Sequence, residues 1–145
     1  IGRSPAKVAD AKALDADAFL VSTDAEAMKK AASSFDLIID TVPVKHDVNP
    51  YMPLLDVDGT LDIVGQIGPI EEPHTLALVF GRRRIAGSLI GGIRETQELL
   101  DFCARKHILP ECEMIRIDQI NDAFERMQKS DVRYRFVIDM ASLSV

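Results

Sequence analysis

Three consecutive arginines, Arg82, Arg83 and Arg84, run into a short apolar stretch, Ile85-Ala86-Gly87-Ser88-Leu89-Ile90, which ends at the pair Gly91-Gly92. Alternation along a strand puts Ile85, Gly87 and Leu89 on one face and Ala86, Ser88 and Ile90 on the other. The paired glycines leave the carboxyl end uncrowded, and ligands of open α/β sheets sit outside such ends. The chemistry this pattern offers is binding by backbone groups, with arginine charge close by. The same residues also make an ordinary buried strand followed by a turn.

Other side chains offer less. His46, His74 and His107 stand far apart and lack HExxH or a related arrangement, so cap, surface and helix-end roles suffice for them and metal ligation is not expected. No Ser/His/Asp set with a nucleophile elbow is visible, and no two carboxylates are placed for acid/base work. Cys103 and Cys112 have no CxxC partner and read as reduced packing thiols.

The elements that must position the arginine and glycine stretch follow from periodicity. Ser4 is a plausible N-cap with Pro5 at the first helical position, and Val8, Ala11 and Leu14 recur at helical spacing, which predicts a helix over 5–14. Residues 18–21 read as a short strand and 25–33 as a second helix, capped by the Ser22-Thr23-Asp24 turn. The run Asp36-Leu37-Ile38-Ile39-Asp40-Thr41-Val42 reads as a strand buried on both faces of a parallel sheet. A short helix near 46–55 is interrupted by Pro50 and Pro53, and Asp58-Gly59 makes a turn before a strand over 60–65. The loop 65–69 and the approach Glu71-Glu72-Pro73 lead to a helix over 74–80. The longest helix spans 94–107, with Leu99, Leu100, Phe102 and Cys103 on its buried stripe. After Pro110 come a strand around 112–117, a helix over 119–129 capped by Asp118, with Ile120, Ala123, Phe124 and Met127 inward, and a final strand over 134–139. Strands alternating with helices imply parallel βαβ units with right-handed crossovers.

The 145 residues, 47% of them hydrophobic, are one domain's worth and enough for a core. A net charge of −6 argues against nucleic acid and anionic membranes as partners. No apolar run is long enough to span a bilayer, so a soluble, cytoplasmic protein is expected. The first residue is Ile, which reads as a piece of something longer.

Six fragments have a characteristic order: Ser4-Pro5-x-Lys7; Leu14-x-Ala16-Asp17-x-Phe19; Ile38-Ile39-Asp40-Thr41-Val42; Gly59-Thr60-Leu61; Phe80-Gly81-Arg82-Arg83 through Gly87-Ser88-Leu89-Ile90-Gly91; and Asp131-Val132-x-Tyr134-Arg135-Phe136-Val137-Ile138-Asp139. Together they closely resemble the zinc-dependent, cinnamyl-alcohol-dehydrogenase-like branch of the medium-chain dehydrogenase/reductases, over nearly the whole chain. The resemblance implies an α/β fold: an incomplete Rossmann-type parallel sheet lacking its first βαβ element, over 1–91, followed over 92–145 by the helix and strand segment that completes the catalytic domain in relatives. The family's GxGGxG turn, its first strand and helix, and its zinc ligands would all precede Ile1, so zinc is implied for the full enzyme but not as a ligand of this chain. Such enzymes move a hydride between NADP(H) or NAD(H) and a primary alcohol or aldehyde.

Residue by residue, the resemblance places Gly2 where NAD-preferring relatives hold a carboxylate for the ribose hydroxyls. Arg3, Ser4 and Lys7 instead supply two positive charges and a donor at a helix start, which suits a 2′-phosphate and predicts NADP(H). Thr41 and Val42 match positions on the adenosine side. Val64, Gly65, Ser88, Leu89 and Ile90 match positions that hold the nicotinamide and its carboxamide, and Arg135 matches an arginine that reaches the pyrophosphate. Asp15 stands where relatives usually carry a helix-ending glycine, and Pro43 replaces a small polar residue after Val42. In relatives, two subunits join through the edge strand that matches 85–90, which implies a homodimer. Loss of the first strand should leave a gap between the strands at 18–21 and 37–42. The competing expectation is a non-catalytic oligomerisation or binding module that no longer takes a dinucleotide, because the missing glycine-rich turn normally supplies most pyrophosphate contacts.

Overall fold

Gly2 opens the ordered chain by pairing, parallel, with Val21: its N–H donates to Leu20 O at 2.9 Å, and Ser22 N–H donates to Gly2 O at 2.9 Å. The computed structural model describes residues 1–65, 68–70, 72–129 and 131–143. Parts of the expected 65–69 loop and of the 71–73 approach lie outside the described residues.

A tight turn, Pro5–Lys7, runs into α1 (Val8–Ala13), and Ser4 Oγ accepts Ala6 N–H at 3.2 Å as the sequence predicts. Asp15 follows the helix with φ of 60°, the left-handed geometry that its glycine-like position requires. The strand expected at 18–21 shrinks to the single Val21 bridge, because among the described residues Gly2 is the one strand-like neighbour that it has there. Asp24 caps α2 (Ala25–Lys30) by accepting Glu26 and Ala27 N–H. That helix stops three residues short of Ser33, where φ is 53° and where Ser33 and Ser34 donate to Pro53 O and Leu54 O instead.

The central sheet has the order β1-β2-β3, all parallel, from β1 (Phe35–Asp40), β2 (Leu55–Ile63) and β3 (Arg84–Gly87). β2 begins earlier than expected: the chain passes through Asp58, at φ of 64°, and Gly59 as an irregularity, with the β1 register jumping between Phe35 and Leu37. A Cβ on Gly59 would stand 3.0 Å from Asp56 O, a tight fit that favours glycine at the bulge. The core lies on one side of this sheet, where Val48, Met52, Leu55 and Leu61 are sealed and Phe35, Ile38, Ile63, Leu78 and Ile85 pack against them. Its cover is the one-turn segment Asn49–Leu54 and α3 (Thr75–Gly81). The expected burial of β1 on both faces is corrected: Leu37 and Ile39 are 53% and 57% exposed. β1 is also an edge strand, and the residues around 18–21 are not members of its sheet, so the expected gap is present.

The chain divides into two compact units, Ile1–Ile90 and Gly91–Val145. The second begins with α4 (Ile93–Lys106), where Gly92 N–H donates to Glu95 Oε2 at 2.7 Å and His107 closes the helix in left-handed geometry. β4 (Glu113–Arg116) and β5 (Phe136–Asp139) pair in parallel, joined through α5 (Ile120–Gln128). A short turn, Ile117–Gln119, precedes α5, and Gln119 Oε1 accepts Arg116 N–H, so Asp118 is not the cap. The buried stripes expected on α4 and α5 are corrected too, since Leu99, Leu100, Phe102, Phe124 and Met127 are exposed while Ala123 is buried. Cys103 and Cys112 are free thiols, and Cys112 is exposed rather than packed. The fold class is α/β with parallel sheets.

Candidate functional site

Register aligns the carboxyl ends of the three central strands. Asp40 stands beside Ile63, and Ile63 beside Gly87, so Thr41, Val64 and Ser88 leave the sheet together along one edge. Backbone bonds tie the tips: Val64 and Gly65 N–H both donate to Asp40 O at 3.0 Å, and Ser88 N–H donates to Ile63 O at 3.2 Å. Val42 and Gly65 approach so closely that a Cβ on Gly65 would meet Val42 O at 2.3 Å, which only glycine permits. Thr41, Val42, Val64 and Ser88 are exposed, so this edge is open to a ligand.

The other predicted residues fare differently. β3 ends at Gly87, so Leu89 and Ile90, expected inside a strand over 85–90, lie beyond it and are 88% and 90% exposed. Among the described residues no neighbouring strand continues past Ser88 to hold them. Arg3, Ser4 and Lys7 cluster in the first helical turn and are all exposed. Among the described residues neither cation forms an ion pair, and the Ser4 hydroxyl, although it accepts Ala6 N–H, keeps its own proton to donate. Arg135 is exposed and belongs to the second unit, where its carbonyl accepts Glu113 N–H at 2.9 Å.

The arginine run is tied to the protein around it. Arg82 and Arg84 both engage Asp58, the first at 2.5 Å to Oδ2 and the second at 2.8 Å to the carbonyl oxygen, while Arg83 donates to Ala77 O. They brace the irregularity in β2. A groove of about 610 Å³ lined by residues such as Asn49, His74, Leu76, Phe80 and Arg83 includes none of the predicted site residues. Among the described residues no three His, Cys, Asp or Glu side chains come together as a metal set.

Two residues at the edge carried no signal recognised in the sequence. Asp40, 8% exposed at the end of β1, accepts Val42 N–H on Oδ1 at 3.0 Å, and His46 brings Nε2 to 2.9 Å from Oδ2. The approach is off the axis of a straight hydrogen bond, which leaves Oδ2 a buried oxygen facing an imidazole. A histidine six residues from an aspartate has no motif to mark it.

Comparison with known proteins agrees with this geometry. Residues 1–105 match the family model described as zinc-binding dehydrogenase. The Populus deltoides protein named "Probable cinnamyl alcohol dehydrogenase" is 50% identical over 128 residues, 88% of this chain and 36% of its own length. The aldehyde reductase YahK of Escherichia coli is 49% identical over 142 residues, 97% of this chain and 41% of its own. Among solved structures, the Sorghum bicolor cinnamyl alcohol dehydrogenase SbCAD4 superposes with a TM-score of 0.87 at 42% identity, covering 97% of this chain and 40% of that one. The Helicobacter pylori enzyme solved with NADP(H) superposes with a TM-score of 0.77 at 32% identity, covering 96% and 40%. The chain thus spans well under half the length of these relatives. It belongs to the zinc-binding dehydrogenase family, beside the cinnamyl alcohol dehydrogenases.

Proposed function

We propose that this chain supplies the cofactor edge of an NADP(H)-dependent, zinc-type alcohol dehydrogenase or aldehyde reductase, with catalytic zinc held outside it. The observation that carries the reading is the shared strand edge, where Thr41, Val42, Val64 and Ser88 emerge side by side and exposed, with Gly65 half-buried among them. A dinucleotide fits that edge chemically: glycine opens the tip at Gly65, and Arg3, Ser4 and Lys7 offer two exposed cations and a hydroxyl to a 2′-phosphate, with no carboxylate at Gly2 to repel it. When bound, the nicotinamide ring accepts or donates the hydride. The chain's own work is to bind and orient: Thr41 and Val42 against the adenosine, Val64, Gly65, Ser88, Leu89 and Ile90 against the nicotinamide half, and Arg135 toward the pyrophosphate. Taken alone the chain is inactive, and the enzyme is a cytoplasmic homodimer joined near β3.

A second reading is favoured by the uncovered Leu37 and Ile39 on β1: an oligomerisation module that binds no dinucleotide. Titration of NADPH fluorescence separates the two. On the first reading, Arg3→Ala and Lys7→Ala each weaken NADPH about ten-fold while leaving NADH unchanged. Equal losses for both cofactors would overturn the 2′-phosphate assignment, and silence from the unmutated chain would favour the module.

A further inference from the structure

We propose that His46 is a positioning residue, a latch on buried Asp40 that fixes the loop carrying Thr41 and Val42 against the sheet edge. Asp40 is the junction of that edge. Its carbonyl accepts Val64 and Gly65 N–H from the β2 tip, and its carboxylate accepts Val42 N–H from the loop. The second carboxylate oxygen is buried without an aligned hydrogen bond, and the group facing it among the described residues is His46 Nε2 at 2.9 Å. A buried carboxylate oxygen with no hydrogen-bond partner is costly, and the close imidazole contact is what offsets its burial. The far nitrogen confirms the orientation: Nδ1 lies 2.9 Å from Val44 O, an acceptor, and must bear a proton of its own. With Nδ1 donating to Val44, Nε2 is turned toward the carboxylate, and its contact with Oδ2 closes the loop into a ring running from Asp40 through Val42 and Val44 to His46. The Tyr51 ring meets the imidazole edge-on, 6.2 Å between centroids, and supports it from the Asn49–Leu54 turn.

The consequence for cofactor binding rests on the reading above, whereas the latch itself can be tested without it. Three variants divide its parts: His46→Ala removes ring and donor, His46→Phe keeps a ring against Tyr51 without a donor, and His46→Lys restores a cationic donor. Amide hydrogen exchange on the full chain should show the Val42 N–H exchanging about ten-fold faster in H46A and H46F and near the unmutated rate in H46K. NADPH titration should show affinity falling about ten-fold in H46A and H46F, with H46K within about three-fold of the original. Protection of Val42 retained in H46F would overturn the latch, since packing alone would then hold the loop. A chain that fails to bind NADPH yet shows this exchange pattern keeps the latch and loses the cofactor reading. NADPH affinity unchanged in H46A, against binding by the unmutated chain, overturns the positioning role and keeps the cofactor reading.

Discussion

Gly65 and Gly87 sit on adjacent strand tips yet differ in what a methyl group would meet. At Gly65 it would run into Val42 O at 2.3 Å, whereas at Gly87 the nearest atom is Ile63 O at 3.7 Å. Backbone cannot swing aside as a side-chain end can, so Gly65→Ala should cost about 1–3 kcal/mol in urea unfolding, with the tips forced apart. Gly87→Ala should stay within about 0.5 kcal/mol, and a similar loss at both positions would contradict the close approach. Asp15 was legible through the family resemblance, which sets it where relatives end the helix with a glycine, and its φ is 60°. Asp15→Gly should therefore stabilise the chain, by up to about 1 kcal/mol by the same assay. The Asp40–His46 contact was not legible. It depends on a loop doubling back over six residues, and Pro43 and Val44 give no periodic sign of that path.

Among elements, the β4–α5–β5 unit is held by charge. Arg126 donates to Glu113 at 2.7 Å and to Asp131 at 3.0 Å, with its guanidinium 4.8 Å from the centre of the Phe136 ring. Glu113 Oε1 also accepts Arg133 N–H, and that bond, followed by the one from Arg126, holds the Glu113 carboxyl below its ordinary 4.5. Unfolding returns the group to its ordinary value, so the unfolded chain binds more protons between the two values and stability rises with pH there. The contribution is complete above pH 4.5 and is lost as the pH falls through the lowered native value. Glu113→Gln should flatten this acid limb in urea midpoints measured from pH 6 downward, and an unchanged limb would remove Glu113 as its source. Parallel strands and their order in the chain were legible from alternating apolar and helical runs. Strand ends were less so, because an end is set by where the neighbour stops: β3 halts at Gly87 since β2 ends at Ile63, although Leu89 and Ile90 continue the apolar run. The pattern identified the apolar run of β1 and the apolar stripe of α4, but it carries no information on whether anything covers them.

For the whole molecule that missing cover dominates. The chain exposes 11318 Å², against roughly 9,000 Å² for two separate compact units of 90 and 55 residues. The excess is of the size that specific interfaces bury. Leu37 and Ile39 on β1, Phe80 on α3, and Leu89 and Ile90 after β3 are among the side chains that make it up. Burying this surface is the strongest drive available to the chain, so sedimentation at micromolar concentration should show self-association that weakens on dilution. A monomer with one sharp unfolding transition would mean that the gap beside β1 closes within a single chain. The family relation was legible because six short fragments lie in register, each weak alone.

The most direct test of the cofactor edge is a paired titration of the unmutated chain with NADPH and NADH, read by nicotinamide fluorescence. Saturable NADPH binding at least ten-fold tighter than NADH is predicted, because Arg3 and Lys7 add two charges that only the 2′-phosphate meets. NADH bound as tightly as NADPH, or no binding of either, would contradict it.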